Sequence, residues 1–170
     1  MVYGATQAIE EDTLKAVYTY QMGKFTEWPA TKLTPSEASL NFCILGKNPF
    51  GRTALDTIQD KRVKGRRLTI EIYPSGLLSN EAIAACHILF ISGSEKSRLK
   101  SILAQLRASP VLTVSDIDEF TREGGMIALV KSQQQVRLEI NSIALRRSGL
   151  AVSSKLLELA KLVPGPGATR

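Results

Sequence analysis

The chain offers few groups able to do covalent chemistry. His87 is its one histidine, so any serine, histidine and aspartate device would have to use it. It opens the run His87-Ile-Leu-Phe-Ile91, which has the apolar character of a strand buried on both faces. No G-x-S-x-G elbow supplies a nucleophile beside it. His87 therefore reads as a structural histidine. Asp116, Asp118 and Glu119 could form a carboxylate pair for acid–base work. Their position at an expected helix start is better explained by capping and by the helix dipole. Two thiols and one imidazole cannot complete a tetrahedral zinc site. The residues thus predict no catalytic group, no metal and no cofactor, and the protein is read as not an enzyme.

Binding chemistry has more candidates. Gly46-Lys-Asn-Pro-Phe-Gly51 and Ser92-Gly-Ser-Glu-Lys96 are glycine-containing loops between an expected strand and an expected helix. In an open α/β sheet such loops lie at the carboxyl ends of strands, where ligands usually sit. Gly46, Asn48, Gly51, Ser92 and Ser94 are the candidate ligand-loop residues, although neither loop matches a phosphate-binding glycine pattern. Lys61-Arg62-Val63-Lys64-Gly65-Arg66-Arg67 places five positive charges in seven residues. It reads either as a solvated loop or as a contact for anionic lipid heads or an acidic partner. It lacks the interleaved aromatics of a single-strand nucleic-acid platform. Cys43 falls inside one expected strand and Cys86 just before an expected neighbour of it. They are either two buried thiols or a bridge closing a loop of about 44 residues, worth ~4 kcal/mol in the chain-entropy account.

These groups need elements to hold them. The steps Leu14, Val17, Tyr18, Met22, Phe25 and Trp28 predict one amphipathic helix over 10–28, stopped by Pro29. Strands are expected at 40–45, 68–73, 87–91 and 111–114, with short helices at 53–58 and 116–120. A serine-capped helix is expected over 97–106. Met126 to Val130 and Val136 to Ile140 predict a hairpin, and a last helix starts at Ser153 or Ser154. Alternating strands and helices predict an α/β fold: a single-domain sandwich with a mostly parallel sheet, helices on both faces and a C-terminal antiparallel hairpin. The domain is placed at 10–163, after an N-terminal extension over 1–9 and before a flexible tail over 164–170.

Composition narrows the class. The chain has 170 residues, 44% of them hydrophobic and 22% charged, which excludes disordered and collagen-like classes. No run approaches the ~18 apolar residues of a membrane span. No basic-then-apolar signal segment opens the 170 residues. A net charge of +6 favours anionic surfaces without implying nucleic acid.

Several ordered motifs carry a family resemblance. They are Phe25-Thr-Glu-Trp28-Pro29; Cys43-Ile-Leu-Gly46 with Asn48-Pro-Phe-Gly51 and Leu55; Cys86-His-Ile-Leu-Phe-Ile91 with Ser94-Glu95; Leu112-Thr-Val-Ser-Asp116; Phe120 with Gly124-Gly-Met-Ile127; Arg137-Leu-Glu-Ile-Asn141; and Ser153-Ser-Lys-Leu-Leu157. In this order, from about residue 12 to 163, the chain resembles the YfiR family of periplasmic repressor proteins. The resemblance implies export to the periplasm, with a signal peptide on the precursor. It implies a non-enzymatic regulator that binds the periplasmic sensor domain of an inner-membrane diguanylate cyclase and lowers cyclic di-GMP signalling and biofilm formation. It further implies a homodimer and a Cys43–Cys86 disulfide, while the second cysteine pair of some relatives is missing here. Candidate partner or dimer contacts are Phe25, Trp28 and Pro29 with Lys61, Arg62, Lys64, Arg66 and Arg67. Peripheral contact with the membrane surface is a further expectation. The alternative is a periplasmic small-ligand binding protein without a cyclase partner.

Overall fold

The computed structural model describes residues 3–133 and 135–162, with side chains for 11–133 and 135–161. The chain runs α1 (Tyr3–Lys24), β1 (Thr26–Glu27), β2 (Ser39–Leu45), α2 (Gly51–Ile58), β3 (Arg62–Val63), β4 (Arg66–Tyr73), α3 (Asn80–Ala85) and β5 (Ile88–Ile91). A 3-10 turn at Gly93–Arg98 leads into α4 (Leu99–Leu106). Then follow β6 (Leu112–Ser115), β7 (Ile127–Ser132), β8 (Gln135–Ile140), α5 (Ser142–Arg147), β9 (Ala151–Val152), α6 (Ser154–Leu159) and β10 (Lys161–Leu162).

Among the described residues, eight strands form one sheet in the order β10-β8-β7-β6-β5-β2-β4-β3, and β1 pairs with β9 in a separate small one. The pairs β4–β2–β5–β6–β7 are all parallel, while β7–β8 and β3–β4 are antiparallel hairpins. The α/β sandwich with a late antiparallel hairpin is therefore the observed architecture.

Alternation along the strands assigns the two faces. Leu40, Phe42 and Ile44 of β2 join Phe90, Leu112 and Val114 in one core with Met22 of α1, Leu55 and Ile58 of α2 and Leu145 of α5. Cys43 and Leu45 point the other way, into a second core with Ile83 of α3 and Ile102 and Leu106 of α4. β5 is buried at every residue, as its unbroken apolar run requires.

Four local expectations are corrected. The first helix ends at Lys24, not at Trp28 before Pro29, and begins at Tyr3 rather than residue 10. The buried Thr26 hydroxyl donates to the Met22 carbonyl at 2.7 Å, and Thr26 and Glu27 pair instead with Val152 and Ala151. Leu14 and Phe25, expected on the inner face, are exposed. No helix forms at 116–120. Glu119 sits at φ 64°, outside the helical basin, and the chain passes to Gly124 in turns. The helix cap before α4 is Ser92 rather than Ser94. Helices α3 and α5 have no counterpart in the pattern reading, because each is only six residues long. The tail at 164–170 lies outside the described residues.

Candidate functional site

The two ends of the central strands hold the buried polar chemistry. At their carboxyl ends the chain leaves β2 toward α2 and β4 on one side, and leaves β5 toward β6 on the other. This switch point is where open α/β sheets place a ligand. Gly46 lies at φ +98°, and a Cβ there would stand 2.5 Å from the Ser94 hydroxyl oxygen. Only glycine lets the two loops close this tightly. The Lys47 amide donates to Ser94 Oγ at 3.0 Å, and that hydroxyl donates to Glu95 Oε2 at 3.0 Å.

Glu95 is completely buried and fills the crevice from within. Its Oε1 accepts from the Gly76 amide at 2.9 Å and from the Ser75 hydroxyl at 3.1 Å, and the Arg98 guanidinium lies 3.6 Å away. Burial pushes this carboxyl up. The Gly76, Ser75 and Ser94 donors and the Arg98 charge together outweigh burial, so it is held below 4.5 and stays ionised. The candidate ligand loops thus meet, but around the protein's own carboxylate. Asn48 closes its own loop by accepting from the Phe50 amide at 3.0 Å, and Gly51 opens α2 at φ +74°. Ser92 caps the following turn.

At the amino ends a second cluster surrounds His87. The Asn41 amide donates to His87 Nδ1 at 3.0 Å, which leaves the proton on Nε2, 3.3 Å from Glu37. The Trp28 indole N–H donates to the His87 carbonyl at 3.1 Å, with its ring edge-on to the imidazole. Asn41 also donates to the Ala85 carbonyl at 2.7 Å and accepts from Thr69. Lys32 donates to the Ile83 and Ala84 carbonyls at 3.0 and 2.8 Å, capping the end of α3 with a cation. Burial lowers the Lys32 ammonium to about 8 despite Glu37. Burial, then the Lys32 charge, lowers His87 below 6.5, and Glu37 only partly restores it. Burial keeps His87 neutral at pH 7, and among the described residues its ring meets the Asn41 amide, Glu37 and Trp28, the contacts of a structural histidine.

Cys86 immediately precedes this histidine and is bonded to Cys43, with Cα atoms 5.9 Å apart. Both residues are fully buried in the second core. The bridge ties α3 to β2, beside the Lys32 cap.

The other candidate residues are scattered. Trp28 is 8% exposed and belongs to the first core, whereas Phe25 is 37% exposed. Pro29 is half-buried, close to Gly149. The run read as a basic loop is the β3–β4 hairpin at the sheet edge, with Lys64 and Gly65 as its two-residue turn. Its side chains are partly engaged: Lys64 with Glu27 at 2.7 Å, Arg67 with Asp60 at 3.7 Å, and Arg66 with the Thr34 carbonyl at 2.8 Å. Asp116 pairs with Lys15 of α1 at 2.9 Å, while Glu119 pairs locally with the exposed Arg122 at 2.9 Å, and neither carboxylate caps a helix.

Glu95, Lys32, Glu37 and Asn41 were not singled out by the sequence reading. Glu95 had a signal: an acid following a Gly-Ser pair directly after a fully apolar strand. The N-terminal cluster had none, since four separate elements supply it.

The fold is similar to the solved ABC domain in complex with L-Trp from Streptococcus pneumonia, at 12% identity and a TM-score of 0.54. The likeness covers 85% of this chain and 60% of that one, and concerns the fold alone. No curated protein matches the chain. The YfiR/HmsC-like family model matches residues 12–161, from within α1 to β10, taking in both ends of the central strands. The chain belongs to the YfiR/HmsC-like family.

Proposed function

We propose that this protein is a periplasmic negative regulator. It binds the periplasmic sensor domain of an inner-membrane diguanylate cyclase, holds that cyclase inactive, and so lowers cyclic di-GMP signalling and biofilm formation. The family match over 12–161 carries the reading. The buried Cys43–Cys86 bridge supports it, because such bridges persist in oxidising compartments. Among the described residues, no helix is long and apolar enough to cross a membrane.

The mechanism is a binding equilibrium rather than turnover. A repressor that prefers the inactive cyclase by 1.4 kcal/mol shifts its balance about tenfold. Phe25 and the exposed cations of the β3–β4 hairpin are the contacts available to a partner or a second copy. Trp28 acts behind them by fixing the chain after α1. Reduction is a poor release signal here, since attack on the bridge requires the second core to open first.

The small-ligand alternative is weakened at the very loops that suggested it, because Glu95 occupies the crevice between them. The deciding experiment is co-purification of the full chain with the membrane cyclase, paired with cyclic di-GMP measurement in a deletion strain. The expected result is a complex and raised cyclic di-GMP. Unchanged cyclic di-GMP on deletion would remove the cyclase reading.

A further inference from the structure

One surface is left unexplained by the core and by the two strand ends. The end of α1 and the β3–β4 hairpin come together there. Gly23 packs on Val63, the Tyr20 hydroxyl donates to the Arg62 carbonyl at 3.4 Å, and Lys64 reaches Glu27 at 2.7 Å. Lys24, Lys61, Arg62, Lys64, Arg66 and Arg67 all belong to this junction, and the acids within these segments are Glu27 and Asp60. Most of the chain's net +6 is therefore gathered at one corner. All of these cations except the half-buried Arg66 are exposed. Phe25 stands exposed in the same segment, directly after Lys24.

We propose that this corner docks on an anionic bilayer surface, with Phe25 as the apolar wedge. The residue types at this corner favour a bilayer over an acidic protein segment. An exposed aromatic among lysines and arginines is the pattern of an interfacial anchor, which sets its ring at headgroup depth while cations meet lipid phosphates. The hairpin is also a rigid presenter, because Lys64 and Gly65 at φ 53° and 79° form a tight turn twisted to match its strands.

The proposal gives this surface to the bilayer in place of a protein partner or a second copy; it does not rest on the cyclase reading, and its test contains no other protein. The full chain is sedimented with vesicles of phosphatidylcholine alone and of phosphatidylcholine mixed with phosphatidylglycerol. Binding to the mixed vesicles only, released by added salt, is expected. The variant Lys61→Glu, Arg62→Glu, Arg67→Glu should lose this binding by roughly 100-fold or more. The control variant Lys47→Glu, Lys96→Glu, Lys100→Glu carries the same net charge and should keep most of it. Phe25→Ala should weaken binding by about threefold to tenfold. Equal loss in the two charge-reversed variants would reduce the effect to net charge and overturn the proposal. Binding to soluble polyglutamate but not to vesicles would overturn it in favour of an acidic protein partner. Melting temperatures of the variants, expected to match the parent, ensure that a loss is read at the surface.

Discussion

The two ends of the β2–β5 pair solve one problem in opposite ways. Each buries an ionisable side chain where strand ends leave polar backbone unpaired. At the carboxyl end Glu95 is kept charged, by two hydroxyls, one amide and a guanidinium. At the amino end His87 is kept neutral, by burial, by the nearby Lys32 charge and by the amide that occupies Nδ1. A buried charge survives only where fixed donors and a nearby opposite charge replace the hydration it lost; otherwise the group discharges. The difference predicts that the two ends respond to different perturbations.

The largest effect should come from the bridge that braces the amino end. Cys43→Ala with Cys86→Ala should lower stability by ~4 kcal/mol, measured as a shift in the urea midpoint. Reductant without denaturant should leave both thiols unlabelled in a mass-based alkylation assay, because neither sulfur is exposed. Rapid labelling under native conditions would show that the amino end opens far more readily than its packing implies.

Next comes Glu95. Glu95→Gln keeps the shape but turns an amide donor toward groups that already donate, and should cost about 2–3 kcal/mol in chemical denaturation. Its carboxyl is lowered on folding, so its contribution is complete above 4.5 and is lost as the pH falls below it toward the folded value. In the variant, the acid-induced loss of stability in that window should shrink.

His87 acts in a higher window. Its folded value is lowered from 6.5, so the unfolded chain binds the proton more readily. Stability is full above about 6.5 and declines as the pH falls below it. A proton on Nδ1 would also face the Asn41 N–H and break the root of β2. His87→Phe should cost about 1–3 kcal/mol at neutral pH, for an unsatisfied amide, and abolish the decline that begins near 6.5. Hydrogen exchange at Asn41 that does not quicken between pH 7 and 5.5 in the parent would break the contrast between the two ends.

Smaller effects sharpen it. Trp28→Phe removes the bond to the His87 carbonyl and shrinks a buried indole to a phenyl, so about 1–2 kcal/mol is expected in thermal denaturation. Arg67→Ala, in an exposed pair with Asp60, should stay within about 0.5 kcal/mol.

Much of the architecture was legible without coordinates. The apolar run His87 to Ile91 announces a central strand, the alternation at 68–73 an edge-side one, and the polar link at 131–135 a hairpin. What failed was local and had local causes. The helix expected to reach Pro29 stops early because the Thr26 hydroxyl takes a helix carbonyl and a partner strand waits at 151–152. The expected helix at 116–120 loses to a left-handed Glu119. The basic run read as a loop is a hairpin, because Val63 is buried between its charges and Lys64-Gly65 permits the turn.

Sequence alone determined the main strands of the sheet, the two-faced core, the family and the pair of cysteines available for a bridge. Those features follow from periodicity and from ordered motifs along one chain. Tertiary structure alone decided that Glu95 would close the ligand crevice, that Lys32, Glu37 and Asn41 would gather at His87, and that the cations of a hairpin and a helix end would share a corner with Phe25. The reason is geometric. These groups lie tens of residues apart, and only strand order brings them within a few ångströms, where burial and neighbouring donors set their charge.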